Sequence, residues 1–112
     1  MKDLEIDIQN DIVIVKVSPN LTQYDYMEMR GYFTSNYFAK QKVKIIIDCE
    51  KVLDLPSIAF GVFSTLARDA RRIGGDTKLV HVAVQLKKIM SRTHIDKQIN
   101  ILNTIAEAIQ SF

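Results

Sequence analysis

Residues 4–8, LEIDI, alternate apolar and acidic side chains with a period of two, the mark of a strand with one buried face. After the turn-forming pair Asn10 and Asp11, IVIVKV is nearly all apolar and β-branched, so the two segments read as a hairpin. The period then lengthens. Over residues 22–38 the apolar positions Tyr26, Met29, Phe33 and Tyr37 recur at helical spacing, with Asp25 and Glu28 near the start. This predicts an amphipathic helix entered through Asn20 or Thr22.

KVKIIIDCE is a short continuous β-branched run, the pattern of a central strand covered on both faces. It feeds the stretch LDLPSIAFG and a helix over residues 57–73, which Gly74 and Gly75 stop because glycine tolerates the left-handed conformation at a helix C-terminus. TKLVHVAV is the next strand, LKKIMSRT a short helix and KQINIL a short last strand. Residues 104–112 form a terminal helix with Ile105, Ala108, Ile109 and Phe112 on one face, and Thr104 and Glu107 spaced as in a capping box.

The order β, β, α, β, α, β, α, β, α implies an α/β fold. Right-handed crossovers make most strands parallel in one central sheet of about five strands, with an N-terminal hairpin and about four helices packed on it. No repeat, linker or low-complexity segment interrupts it, so residues 1–112 are expected to form a single domain.

Helical periodicity assigns Ala59, Val62, Phe63, Leu66, Ala70 and Ile73 to the sheet-packing stripe of the helix at 57–73. Ser57, Gly61, Ser64 and Arg68 then share the outward face, flanked by Ile58 and Phe60. Gly61 costs about 1 kcal/mol relative to alanine inside a helix, so something gains from its missing side chain. Either a partner approaches closely there, or Gly61 relieves packing near the sheet and the small polar residues face water.

Composition narrows the chemistry. The chain has 112 residues, 47% hydrophobic and 25% charged, enough to bury a core without staples. Fifteen basic against 13 acidic residues leave a net charge of +2, too small an excess to point to nucleic acid. The basic cluster Arg68, Arg71 and Arg72, interrupted by Asp69, reads as a solvated face or as a partner or anion contact. No stretch approaches the roughly 20 apolar residues of a membrane span, and the N-terminus carries no secretory pattern. A single cysteine, Cys49, excludes an internal disulfide and fits a reducing, cytoplasmic setting, where it serves as a small buried hydrophobe.

The materials of an enzyme are sparse. No GxSxG, GxxxxGK or GxGxxG pattern occurs. His81 falls within a β run and His94 near a helix end, with no other ligand type at a metal spacing, so both read as strand-face or surface residues. No catalytic residue, cofactor or metal site is expected.

In VKIIID, in the loop and helix ending RRIGG, in TKLVHVAV and in the tail HIDKQINILNTIAEAI, the chain resembles the STAS family, named for sulfate transporters and anti-sigma-factor antagonists. The element order matches over essentially the whole length. SPNLTQYDYMEMR stands in place of that family's early loop and first helix. PSIAFG occupies the position of a loop that in the family usually reads DSSG or DSAG. Pro56 replaces the aspartate, Ser57 keeps the first hydroxyl, Ile58 occupies the usual phosphoacceptor position, Ala59 replaces the loop glycine, and Gly61 matches.

The resemblance implies a non-enzymatic regulatory binding domain whose partner is an anti-sigma factor or a related serine kinase. Its docking residues would be Leu55, Pro56, Ser57, Ile58, Phe60, Gly61, Ser64 and Arg68. Ser57 is the remaining candidate phosphoacceptor, its other role being a first-turn hydroxyl that satisfies helix N–H groups. The resemblance equally admits a small-ligand- or nucleotide-binding sensor module, with Arg68, Arg71 and Arg72 as anion attractors, and leaves a homodimer open.

Overall fold

A computed structural model describes residues 4–112. Strands β1 (Glu5–Gln9) and β2 (Ile12–Lys16) pair antiparallel through a turn in which Asn10 takes φ 58°. Helix α1 (Gln23–Asn36) leads through a 3-10 turn at Phe38–Lys40 to β3 (Lys44–Asp48), and α2 (Ser57–Arg72) leads to β4 (Asp76–Val80). Helix α3 (Val84–Arg92), a 3-10 turn at Ile95–Lys97, β5 (Asn100–Leu102) and α4 (Ile105–Gln110) complete the order. The sheet runs β1-β2-β3-β4-β5, with every pair after the hairpin parallel. This is the expected α/β architecture of five strands and four helices.

Period-two alternation divides the sheet between two unequal cores. Val13, Val15, Ile45, Ile47 and Leu79 point into the larger one, where Tyr26, Met29 and Phe33 of α1, Phe63 and Leu66 of α2, and Leu86 and Met90 of α3 cover them. Ile12, Ile14, Ile46 and Val80 point the other way, under Ala108 of α4 and its neighbours Ile105, Ile109 and Phe112. Lys78 shares that second face and is only 4% exposed. Its ammonium donates to the Ser111 carbonyl at 3.0 Å and lies 4.8 Å from the centre of the Phe112 ring.

Local chemistry sets the helix ends. Thr22 caps α1: its hydroxyl accepts the Asp25 N–H while the Asp25 carboxylate accepts the Thr22 N–H at 2.7 Å, a complete capping box. At the end of α2, Gly74 takes φ 90°, Gly74 N–H bonds the Arg71 carbonyl and Gly75 N–H bonds the Ala70 carbonyl, which is a Schellman motif. Gly75 has a second duty: a Cβ built on it would fall onto the Val43 carbonyl.

Three expected boundaries shift. The strand read from TKLVHVAV ends at Val80, because His81 turns the chain with φ 55°, and α3 already starts at Val84. The last strand keeps only Asn100–Leu102, its expected start being taken up by the 3-10 turn and Ile99, which is buried against the larger core. The helix expected over residues 104–112 is shorter, Ile105–Gln110, and the Thr104 hydroxyl accepts the Glu107 N–H at its start. No helix among the described residues is long and apolar enough to cross a membrane.

Candidate functional site

The loop between β3 and α2 is anchored by its apolar residues. Cys49 N–H bonds the Val80 carbonyl, Val52 N–H bonds the Cys49 carbonyl, and Cys49, Val52 and Leu55 are buried. Burial, with a smaller contribution from the adjacent Asp48 charge, pushes the Cys49 thiol up to about 12, so it stays protonated and unreactive at neutral pH. Gln85 of α3 donates to the Leu53 carbonyl at 3.2 Å, tying the loop to the next helix. Between this loop and residues 18–21 lies a groove of about 580 Å³ with Tyr26 in its wall.

The chain enters α2 through Pro56, whose φ of −58° suits the cap position and whose side chain supplies no hydrogen bond. Ser57 follows, exposed, and its hydroxyl makes no hydrogen bond among the described residues, so it is not the capping hydroxyl that one sequence reading made of it. Two apolar side chains of this segment are open to solvent, Leu53 in the loop at 68% and Ile58 beside Ser57 in the chain at 38% exposure. Gly61 lies one turn further along the same face. Nothing comes within 4 Å of a Cβ built on it, so no packing within this chain demands a glycine there.

The buried stripe of α2 is turned relative to the expected one. Ala59, Phe63, Leu66, Ala67 and Ala70 are buried, whereas Val62 is half-buried and Ile73 is 47% exposed. Ser64, expected on the outward face, is only 9% exposed. The cause is that α2 has neighbours on both flanks as well as the sheet beneath. Tyr26 of α1 packs edge-on to Phe63, and Arg30 of α1 pairs with Asp69 at 2.8 Å. On the other flank Arg71 donates to the Gln98 carbonyl at 2.7 Å, bringing the chain after the 3-10 turn alongside Ser64.

The proposed docking set is thus divided by burial. Ser57, Ile58, Gly61 and Arg68 are exposed and Pro56 is half-exposed, while Leu55 and Ser64 are buried and Phe60 packs partly on the core. Helical spacing put Ser64 on the outward face and Phe60 beside it, and spacing alone cannot see a flanking segment; Leu55 came from the loop before the helix, where its burial against the larger core has no periodic signal.

The structure also assembles a group that linear spacing concealed. Asp48 ends β3, His81 follows β4, and parallel pairing of those strands brings their ends together. His81 Nδ1 lies 2.9 Å from Asp48 Oδ1 and 3.5 Å from Glu50 Oε2, and Asp48 Oδ1 also accepts the Glu50 N–H. Each of the three offers a ligand atom within 4.8 Å of the others, the spacing of a metal-binding trio. His81 meets both carboxylates through Nδ1. The arrangement as it stands is a latch that satisfies a buried carboxylate, Asp48 being 2% exposed. The left-handed backbone of His81 aims its ring, and an alternating β pattern gives no sign of it.

Comparison with known proteins agrees with this architecture. The family profile described as STAS domain matches residues 3–108. The chain belongs to the STAS domain family. It is 23% identical over 103 residues to the TM1081 homolog of Thermotoga neapolitana, provisionally named an anti-sigma factor antagonist, covering 92% of this chain and 91% of that one. The crystal structure of TM1081 from Thermotoga maritima superposes with a TM-score of 0.87 at 22% identity, over 96% of this chain and 92% of that one. SpoIIAA, a Bacillus cell fate determinant solved in its phosphorylated form, gives a TM-score of 0.74 at 16% identity, over 96% of this chain and 97% of that one.

Proposed function

We propose that this STAS domain is a non-enzymatic, cytosolic regulator that docks an anti-sigma factor or a related serine kinase through the first turns of α2. The contact face comprises Pro56, Ser57, Ile58, Gly61 and Arg68, with exposed Leu53 at its edge. The naming of its relatives as anti-sigma factor antagonists supports the partner class. The observation that carries the reading is Gly61. An exposed helical glycine costs about 1 kcal/mol relative to alanine and here relieves no contact in its own chain. Close approach by a second protein accounts for it.

The binding is constitutive. A phosphate adds about −1.5 to −2 charge, which disrupts a docked apolar surface. Ile58, at the family's usual phosphoacceptor position, cannot carry one, and it contributes apolar contact instead.

Titration of an anti-sigma kinase encoded in the same genome tests the proposal. Gly61→Arg is expected to keep the native circular dichroism spectrum and to weaken binding by at least about tenfold. Gly61→Ala is expected to raise stability by up to about 1 kcal/mol, with a much smaller loss of affinity. Equal affinity of the folded Gly61→Arg protein and the unaltered chain would overturn the docking face.

A further inference from the structure

A second concavity lies on the flank of α2, away from its N-terminus. It has a volume of about 570 Å³ and is lined by Ser64, Arg68, Arg71, Arg72 and Gln98. That volume lies in the range of small-molecule sites.

The three arginines are not equivalent. Arg71 is committed, its Nε 3.0 Å from Asp76 Oδ1 and its Nη1 on the Gln98 carbonyl at 2.7 Å. Neither Arg68 nor Arg72 has a carboxylate partner among the described residues, so two planar guanidinium forks border the cavity with their donors open to an anion. The negative end of the helix dipole explains basic residues in the last turn of α2, which are Arg71 and Arg72. It explains neither Arg68, one turn earlier, nor Ser64.

Ser64 supplies an independent observation. Its hydroxyl oxygen is the one buried side-chain polar atom among the described residues without a hydrogen-bond partner, and the residue lines this cavity. A buried hydroxyl left unpaired is costly, and such groups in native proteins call for an explanation. A ligand seated between the arginines would supply its partner.

We propose that this cavity binds a small phosphorylated anion. Arg68 and Arg72 grip the phosphate oxygens, Arg71 holds the wall in place through Asp76 and the Gln98 carbonyl, and Ser64 meets the ligand at the floor. The site shares only Arg68 with the docking face and stands whether or not a protein binds at the start of α2.

Two probes test it on the full chain by calorimetry and amide chemical-shift mapping: inorganic pyrophosphate and adenosine diphosphate. Both are expected to perturb the amides from Ser64 to Arg72 and that of Gln98. Tighter binding of adenosine diphosphate identifies an organic phosphate as the ligand, and tighter binding of pyrophosphate an inorganic one. Arg68→Ala and Arg72→Ala, both at exposed positions, should each weaken binding at least about tenfold. Ser64→Ala should weaken binding while raising the unfolding midpoint of the ligand-free protein, since it removes an unpaired buried hydroxyl. The proposal is overturned by absence of binding at millimolar probe concentration, by shifts centred on the first turn of α2 instead, or by unchanged affinity in both arginine variants.

Discussion

Ser57 and His81 show how far a single residue's surroundings decide its role. Ser57 is exposed, and among the described residues no side chain is hydrogen-bonded to its hydroxyl as a base. Incubation with the cognate kinase and ATP is expected to leave the intact mass unchanged and docking undiminished. A one-phosphate increment lost in Ser57→Ala would restore the switch to Ser57. His81 works within the chain, pairing with the buried Asp48 at 2.9 Å from a left-handed backbone with φ 55°. His81→Ala leaves that carboxylate short of a partner and should cost about 1–3 kcal/mol in chemical denaturation. His81→Asn should cost less, because asparagine tolerates the left-handed region and can still donate to the carboxylate.

At the scale of elements, the Schellman turn after α2 decides where β4 can begin. Gly75 passes against Val43 at the start of the neighbouring strand, and Asp76 N–H bonds the Val43 carbonyl at 3.0 Å. Gly75→Ala should therefore destabilise by about 1–3 kcal/mol, measured as a lower urea midpoint, because backbone must move to admit the new methyl group. The pair GG announced the end of α2 in the sequence, since a helix terminus has a strong local signature. The close approach at Gly75 had no such signature, as it depends on a strand more than 30 residues earlier. The same division runs through the candidate site. Ser57, Ile58 and Gly61 were legible on the exposed face because their position follows from α2 alone. Ser64 was not, because its burial depends on the chain segment around Gln98, with α1 packed on the other flank through Tyr26–Phe63 and Arg30–Asp69. The His81 latch was hidden for a similar reason, its partners lying on the adjacent parallel strand and loop.

Across the whole molecule, burial of ionisable groups in the larger core couples the fold to alkaline pH. Burial pushes the Cys49 thiol up to about 12, and it also raises the Tyr26 and Tyr37 hydroxyls. In the unfolded chain a thiol titrates near 8.5 and a tyrosine near 10. The native state keeps protons that the unfolded state gives up, so raising the pH favours unfolding. Stability is thus complete below about pH 8.5 and falls as pH rises toward the native values. Urea midpoints measured at increasing pH should follow this course, and Cys49→Ala should flatten the first part of the decline, between about pH 8.5 and 10. A midpoint independent of pH in that window would contradict the burial of Cys49.

The exposure of Ile58 has a consequence for how such domains diverge. Its side chain stands at the rim of α2 at 38% exposure, outside both cores. Substitution at a position of this kind usually changes stability by no more than about 0.5 kcal/mol. A lineage could therefore exchange a serine for an isoleucine there, or the reverse, in few mutational steps and with the scaffold undisturbed. Ile58 thus belongs to the surface and not to the packing that holds the fold, so the chemistry presented there can change without rebuilding the protein beneath it.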